Sequence, residues 1–244
     1  MSVERTVAAL EDAAVSRAGA PVHPAAAEVA QVRARVGGVV AEVVRQAVRD
    51  AGATGVVLLD DGSPEAGLAR EWCTQALGAD AVVCIPPPAP AAVEACRRVL
   101  GADVPGDAAA EEAHRFHARL AAAGGALVAH PANKTALLLG PRTPPEPLLP
   151  LGDLYAGQVA TLAGAWTAPP EVRRLAELAG GVAALDAALH AWLEERRPID
   201  AALAPLGPAA AEVRRALEAG RFHRRRVGLV PKLGSRTLGI DLFG

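Results

Sequence analysis

Apolar residues recur through residues 25–50 as Val29, Val32, Val36, Val39, Val40, Val43, Val44 and Ala47, the spacing of one helix face, and the run stops at Gly52 and Gly55. The apolar, β-branched run Val56-Val-Leu-Leu59 follows and ends at Asp60, Asp61 and Gly62, as a buried strand would. Ser63 then suits a helix N-cap with Pro64 at the first helical position, predicting a helix to about Leu77. Residues 81–85 read as a second strand closed by Pro86, Pro87 and Pro88. Residues 91–100 and 108–123 read as helices, and residues 126–129 as a third strand. Strands alternating with helices of this length imply right-handed crossovers, so the expected class is α/β: a doubly wound parallel sheet with helices on both faces.

Beyond residue 150 the pattern turns helical, with helices expected over 153–165, 170–178, 182–195 and 208–219 and no evident strand. Residues 141–150 read as a loop, because Pro144, Pro145 and Pro147 donate to no ladder or helix. The expected organisation is an N-terminal extension over 1–24, one α/β domain over 25–220, and a tail over 221–244 packed on the domain or a partner.

A chain of 244 residues that is 51% hydrophobic is long enough to bury a core. A net charge of −2 gives no general pull toward nucleic acid or an anionic membrane. No apolar run approaches the ~20 residues that span a bilayer, and the N-terminus carries Glu4, Arg5, Glu11 and Asp12 in place of a basic leader. Cys73, Cys84 and Cys96 fit neither a disulfide framework nor a paired metal motif, so the expectation is a reducing, cytoplasmic location. Lysine occurs only as Lys134 and Lys232, asparagine only as Asn133 and tyrosine only as Tyr155. Background composition does not explain such rare residues, so their positions carry information.

All four fall in segments that resemble the NAD synthetase family of ATP pyrophosphatases, which has an adenine nucleotide alpha-hydrolase type of fold. Ala126-Leu-Val-Ala-His-Pro-Ala-Asn-Lys-Thr-Ala-Leu-Leu-Leu-Gly140 is similar to the family's strand, turn and "NKSE" helix, and Pro150-Leu-Gly-Asp-Leu-Tyr-Ala-Gly-Gln-Val159 to its "DLYKTQV" segment. Val182 to Glu195 looks like its "LDxIL" helix. Pro231-Lys-Leu-Gly-Ser-Arg-Thr-Leu-Gly-Ile-Asp241 resembles the tail of the glutamine-using branch. The resemblance implies binding of an adenine nucleotide or dinucleotide by Gly62, Ser63, Asn133, Lys134, Thr135, Asp153, Tyr155 and Lys232; His130, at the end of the third strand where ligands bind in open parallel sheets, reads as a nucleotide contact or a structural histidine. It also implies a homodimer or a heteromer with a homologue.

The family adenylates the carboxylate of deamido-NAD with ATP and lets ammonia displace AMP. Its central device is the "SGGxDS" loop after the first strand, whose backbone N–H groups approach the pyrophosphate. Laid on without gaps, the stretch here is Asp60-Asp-Gly-Ser-Pro-Glu65, with one glycine in place and carboxylates where both serines belong. Two like charges about 4 Å apart repel by about 4 kcal/mol at an effective dielectric near 20. The same acids suit a helix N-terminus in their own right, or a Mg²⁺ site.

Further departures point to the same loss. The family's threonine before the turn is Pro131, its metal-ligating glutamate is Ala136, its "TKYGD" stretch is shortened into Pro141 to Pro145, and the lysine of its "DLYK" is Ala156. The expectation is a pseudoenzyme with no catalytic residue and no resident metal, serving as a nucleotide-binding or dimer-partner module. The alternatives are an active amide-forming ligase using ATP, Mg²⁺ and ammonia, with Asp60, Asp61 or Glu65 on the metal, and a structural assembly subunit. His114 and His117, three apart on a helix, read as structural, and Arg221 and Arg224 to Arg226 as a surface cluster or a phosphate grip.

Overall fold

The structure, a computed structural model, describes residues 26–101, 104–140, 146–220 and 228–234. Three parallel strands, β1 (Val56–Leu59), β2 (Val82–Ile85) and β3 (Leu127–Ala129), lie in the order β2-β1-β3. Central β1 is in register with both neighbours, Val56 opposite Val82 on one side and Leu127 on the other. Alternate β1 side chains point to opposite faces, so Val56 and Leu58 enter one core and Val57 and Leu59 another.

Helices α1 (Ala26–Asp50) and α2 (Pro64–Leu77) pack together over the first face. Val36, Val40 and Val44 of α1 are wholly buried there with Trp72 of α2. Helix α4 (Gly106–Ala122) covers the opposite face, with Ala118 against Val57 and Leu59, while α3 (Pro90–Leu100) packs on α4 and buries none of its residues. The doubly wound α/β architecture expected from the alternating pattern is the one observed.

The second half is a helical layer built on its own core. It comprises α5 (Lys134–Leu139), α6 (Ala156–Ala163), α7 (Pro170–Leu178), α8 (Val182–Leu193), α9 (Ile199–Leu203) and α10 (Ala210–Ala219), with α6 turning Val159 and Leu162 into the core of α1, α2 and β1. Two single-residue bridges widen the sheet beyond β3: Leu148 pairs with Ala129, and Leu229 with Leu148, both parallel. His130 N–H donates to Leu148 O at 3.0 Å, and Leu149 N–H to Leu229 O at 2.9 Å. The stretch ending at Pro150 is therefore not wholly loop: between Pro147 and Pro150, Leu148 supplies the ladder carbonyl and Leu149 the ladder N–H.

Helix α6 begins three residues later than the periodicity suggests. Tyr155 is its N-cap, and Tyr155 N–H donates to Gln158 Oε1 at 2.8 Å. Where Gly228 passes Glu146 and Pro147, a Cβ would lie 2.2 Å from Glu146 O, so only glycine fits that approach. None of the described helices is long and apolar enough to cross a membrane.

Candidate functional site

In open parallel sheets ligands bind outside the carboxyl ends of the strands, and a cleft of about 380 Å³ lies there in this protein. Its polar lining comes from Asp61, Ser63 and Glu65 after β1, from His114 and Glu111 on α4, from His130 and Asn133 after β3, and from Thr167. Leu59, Pro87, Pro131, Ala132, Ala136 and Pro169 form its apolar walls. An adjoining concavity of about 320 Å³ shares Glu111, His130 and Ala132 and adds Asp107 and Glu171. Among the described residues, no lysine or arginine lines either space.

The turn between β1 and α2 is closed on itself. Gly62, at φ +78°, donates its N–H to Asp60 Oδ1 at 3.0 Å, and Ser63 N–H donates to Asp61 Oδ1 at 3.0 Å. Ser63 Oγ accepts Ala66 N–H at 3.1 Å, the cap predicted from the sequence. Pro64 has no N–H, and Gly67 N–H reaches Ser63 O. Helix N-termini attract anions because their first N–H groups lack partners; here Pro64 offers none, and Ser63 takes those of Ala66 and Gly67. Asp60 also pairs with Arg70 at 3.3 Å.

Glu65 is 4% exposed. Its Oε1 accepts Thr167 N–H at 2.9 Å, while buried Oε2 has no hydrogen-bond partner. Burial holds this carboxyl above its usual range, opposed by the Thr167 N–H. His130 Nδ1 accepts Ala132 N–H at 3.1 Å, which leaves the proton on Nε2, and burial pushes its pKa down to about 3. The imidazole is neutral at physiological pH. His114 Nε2 donates to Ile85 O at 2.6 Å, a structural role. No three His, Cys, Asp or Glu side chains converge on a metal-sized site among the described residues.

The expected ligand residues divide between two places. Ser63, His130 and Asn133 line the cleft, and Gly62 sits beside it in the turn; Asn133 Oδ1 is engaged as the α5 N-cap, accepting Ala136 N–H at 3.0 Å. Lys134, Thr135, Asp153 and Tyr155 lie instead in a buried network between α5, α6 and α8. Lys134, with no exposed surface, donates to Asp153 Oδ1 at 2.9 Å and to Glu194, and its Nζ stands 5.0 Å from the Tyr155 ring centre.

Asp153 Oδ2 takes the N–H groups of Leu233 and Gly234, both at 2.6 Å, pinning the terminal segment. Burial raises its pKa, and the Lys134 ammonium and these N–H groups oppose the rise. Thr135 Oγ1 donates to Asp186 Oδ1 at 2.6 Å and accepts Ala156 N–H at 2.9 Å, while Gly157 N–H reaches Asp186 Oδ2. Burial lifts Asp186 to about 7. Lys232 is exposed on the terminal segment and lines neither space. Arg221 and Arg224 to Arg226 lie outside the described residues.

Sequence reasoning did not single out Glu111, Asp186, Glu194 or Thr167. Asp186 and Glu194 stand inside the matched "LDxIL" segment, and their acidity in an apolar helix was the available signal.

No family model matches this sequence, and no curated protein matches it. Among solved structures, the NH3-dependent NAD synthetase from Campylobacter jejuni, in complex with the nitrate ion, superposes with a TM-score of 0.59. It is 18% identical, over 78% of this chain and 95% of that one. The glutamine-dependent NAD+ synthetase from Acinetobacter baumannii, in complex with ADP, gives a TM-score of 0.46 at 20% identity, over 86% of this chain. This chain spans 49% of that longer protein. At the first likeness the fold is shown: it is the NAD synthetase-like α/β fold.

Proposed function

We propose that this chain is a synthetase-like module that no longer adenylates deamido-NAD and works as a non-catalytic partner in an assembly. One observation carries this: the turn after β1 satisfies its own N–H groups with Asp60, Asp61 and Ser63. A triphosphate arriving there meets two carboxylates, and the Gly62, Ser63 and Ala66 N–H groups already have acceptors. The residues present do not fit Mg·ATP.

Of the two non-catalytic forms, the partner form is the better supported. Lys134, Thr135, Asp153 and Tyr155 are engaged within the fold. Five of the seven large apolar side chains exposed among the described residues, Val83, Val99, Leu100, Phe116 and Leu120, lie on β2, α3 and α4. Exposed apolar groups gathered on adjacent elements mark interaction surfaces.

Purified protein incubated with ATP, Mg²⁺, ammonium and deamido-NAD is expected to release neither pyrophosphate nor AMP. Turnover that is lost in Asp61→Ala would overturn this reading in favour of an active ligase.

A further inference from the structure

Residues 228–234 cross the protein as an extended strap. Leu149 N–H donates to Leu229 O at 2.9 Å and Leu229 N–H to Pro147 O at 2.8 Å, which ties one end to the segment beside β3. Asp153 Oδ2 ties the other end by taking the Leu233 and Gly234 N–H groups. Along the strap, Val230 enters the core of the helical layer and Leu233 the core of α1, α2 and β1, while Leu229 and Lys232 are exposed.

The strap lies directly over the buried charges. A Cβ on Gly234 would stand 3.5 Å from Glu194 Oε1, 3.6 Å from Asp153 Oδ2 and 3.7 Å from Lys134 Nζ. Lys134 has no exposed surface, and the Gly234 backbone is part of what covers it. The ties are local: a one-residue bridge, one carboxylate, and the buried Val230, Pro231 and Leu233. Segments held by so few buried contacts open at a lower free energy than core elements, and α1 and α8, by contrast, are buried along several turns.

We propose that residues 228–234 are a lid that lifts while both cores stay folded, and that a small molecule reaches Lys134 only through this step. Lifting takes the Leu233 and Gly234 N–H groups off Asp153 and opens Lys134, Asp153 and Glu194 to solvent. Lys134 and Asp153 are two of the residues that the family resemblance marks for a ligand, and the closed form withholds both. Turnover of ATP would defeat the non-catalytic reading and leave this one standing.

Lysine occurs only at 134 and 232, so acylation of the full chain by the N-hydroxysuccinimide ester of acetic acid, read by mass spectrometry, reports each site separately. Exposed Lys232 is the internal reference. Acylation of Lys134 is expected to quicken at least about tenfold in Leu233→Ala, because truncating a buried leucine weakens the closed form by more than that factor. It is expected to stay within about twofold of the wild type in Val36→Ala, which weakens the same core without touching the lid. An unchanged rate in a folded Leu233→Ala would overturn the proposal. Equal quickening in Val36→Ala would also overturn it, because Lys134 would then be reached only by unfolding the whole chain. If Leu233→Ala does not fold, Val230→Ala, at the lid's other buried anchor, takes its place under the same two outcomes.

Discussion

Replacing Lys134 by methionine is expected to destabilise the protein by about 3–5 kcal/mol, the cost of removing one partner from a buried ion pair. Methionine keeps most of the side chain's volume, so the loss reads charge more than packing. Without the ammonium, Asp153 is left inside the protein with only the Leu233 and Gly234 N–H groups, and Glu194 loses its contact with Lys134 Nζ. In a protein of this size that is a fall in Tm of roughly 10 °C. Adding Asp153→Asn is expected to restore part of the loss, because the amide oxygen still accepts from the terminal segment while the orphaned charge is gone. Denaturant melts of the single and double variants check this. A cost below about 1 kcal/mol for the single variant would mean that the network is not closed as described.

The second large effect is expected at Trp72. Its indole is buried to 1% exposure in the core shared by α1, α2 and β1. The fit is close: a Cβ on Gly37 would lie 2.6 Å from Trp72 Nε1, so α1 and α2 approach at a glycine. Truncation to alanine leaves a void that two rigid helices cannot fill, at a cost of about 3–5 kcal/mol. Because α2 carries the Ser63 turn at its N-terminus, Trp72→Ala should also loosen the mouth of the cleft. Urea melts read the first effect; a loss near 1 kcal/mol would show that the helices collapse onto the gap.

The two halves of the protein were legible to different degrees, for physical reasons. Valines at helical spacing identify α1, Val56 to Leu59 identify β1, and Ser63 with Pro64 fixes the start of α2, since each signal is local. Leu148 and Leu229 gave no signal because a one-residue bridge has no period to detect. The segment 199–209, a short helix and a 3₁₀ turn interrupted by Pro205, Gly207 and Pro208, was missed for the same reason.

In the candidate site, the acidic turn was visible in the sequence, but its hydrogen bonds were not. From the sequence, Asp60 and Asp61 repel phosphate by charge and suit the helix N-terminus in its place. The fold adds which donors they take, the N–H groups of Gly62 and Ser63. Lys134 is the instructive case. A lone lysine in a matched motif reads as a ligand group, because lysine is rarely fully buried unless paired. Its partners, Asp153 and Glu194, lie 19 and 60 residues away and appear only when α5, α6 and α8 pack. The segments that carry the family resemblance meet one another through Thr135, Ala156 and Asp186, and through Lys134, Asp153 and Gly234. What the resemblance preserves is largely the architecture that holds these helices together.

The backbone amides of the turn after β1 report directly on whether phosphate is held there. With ¹⁵N-labelled protein, addition of Mg·ATP or pyrophosphate is expected to leave the Gly62, Ser63 and Ala66 resonances in place, since each N–H already has its acceptor on Asp60, Asp61 or Ser63. Saturable shifts at those three amides, reproduced by pyrophosphate alone, would contradict the account.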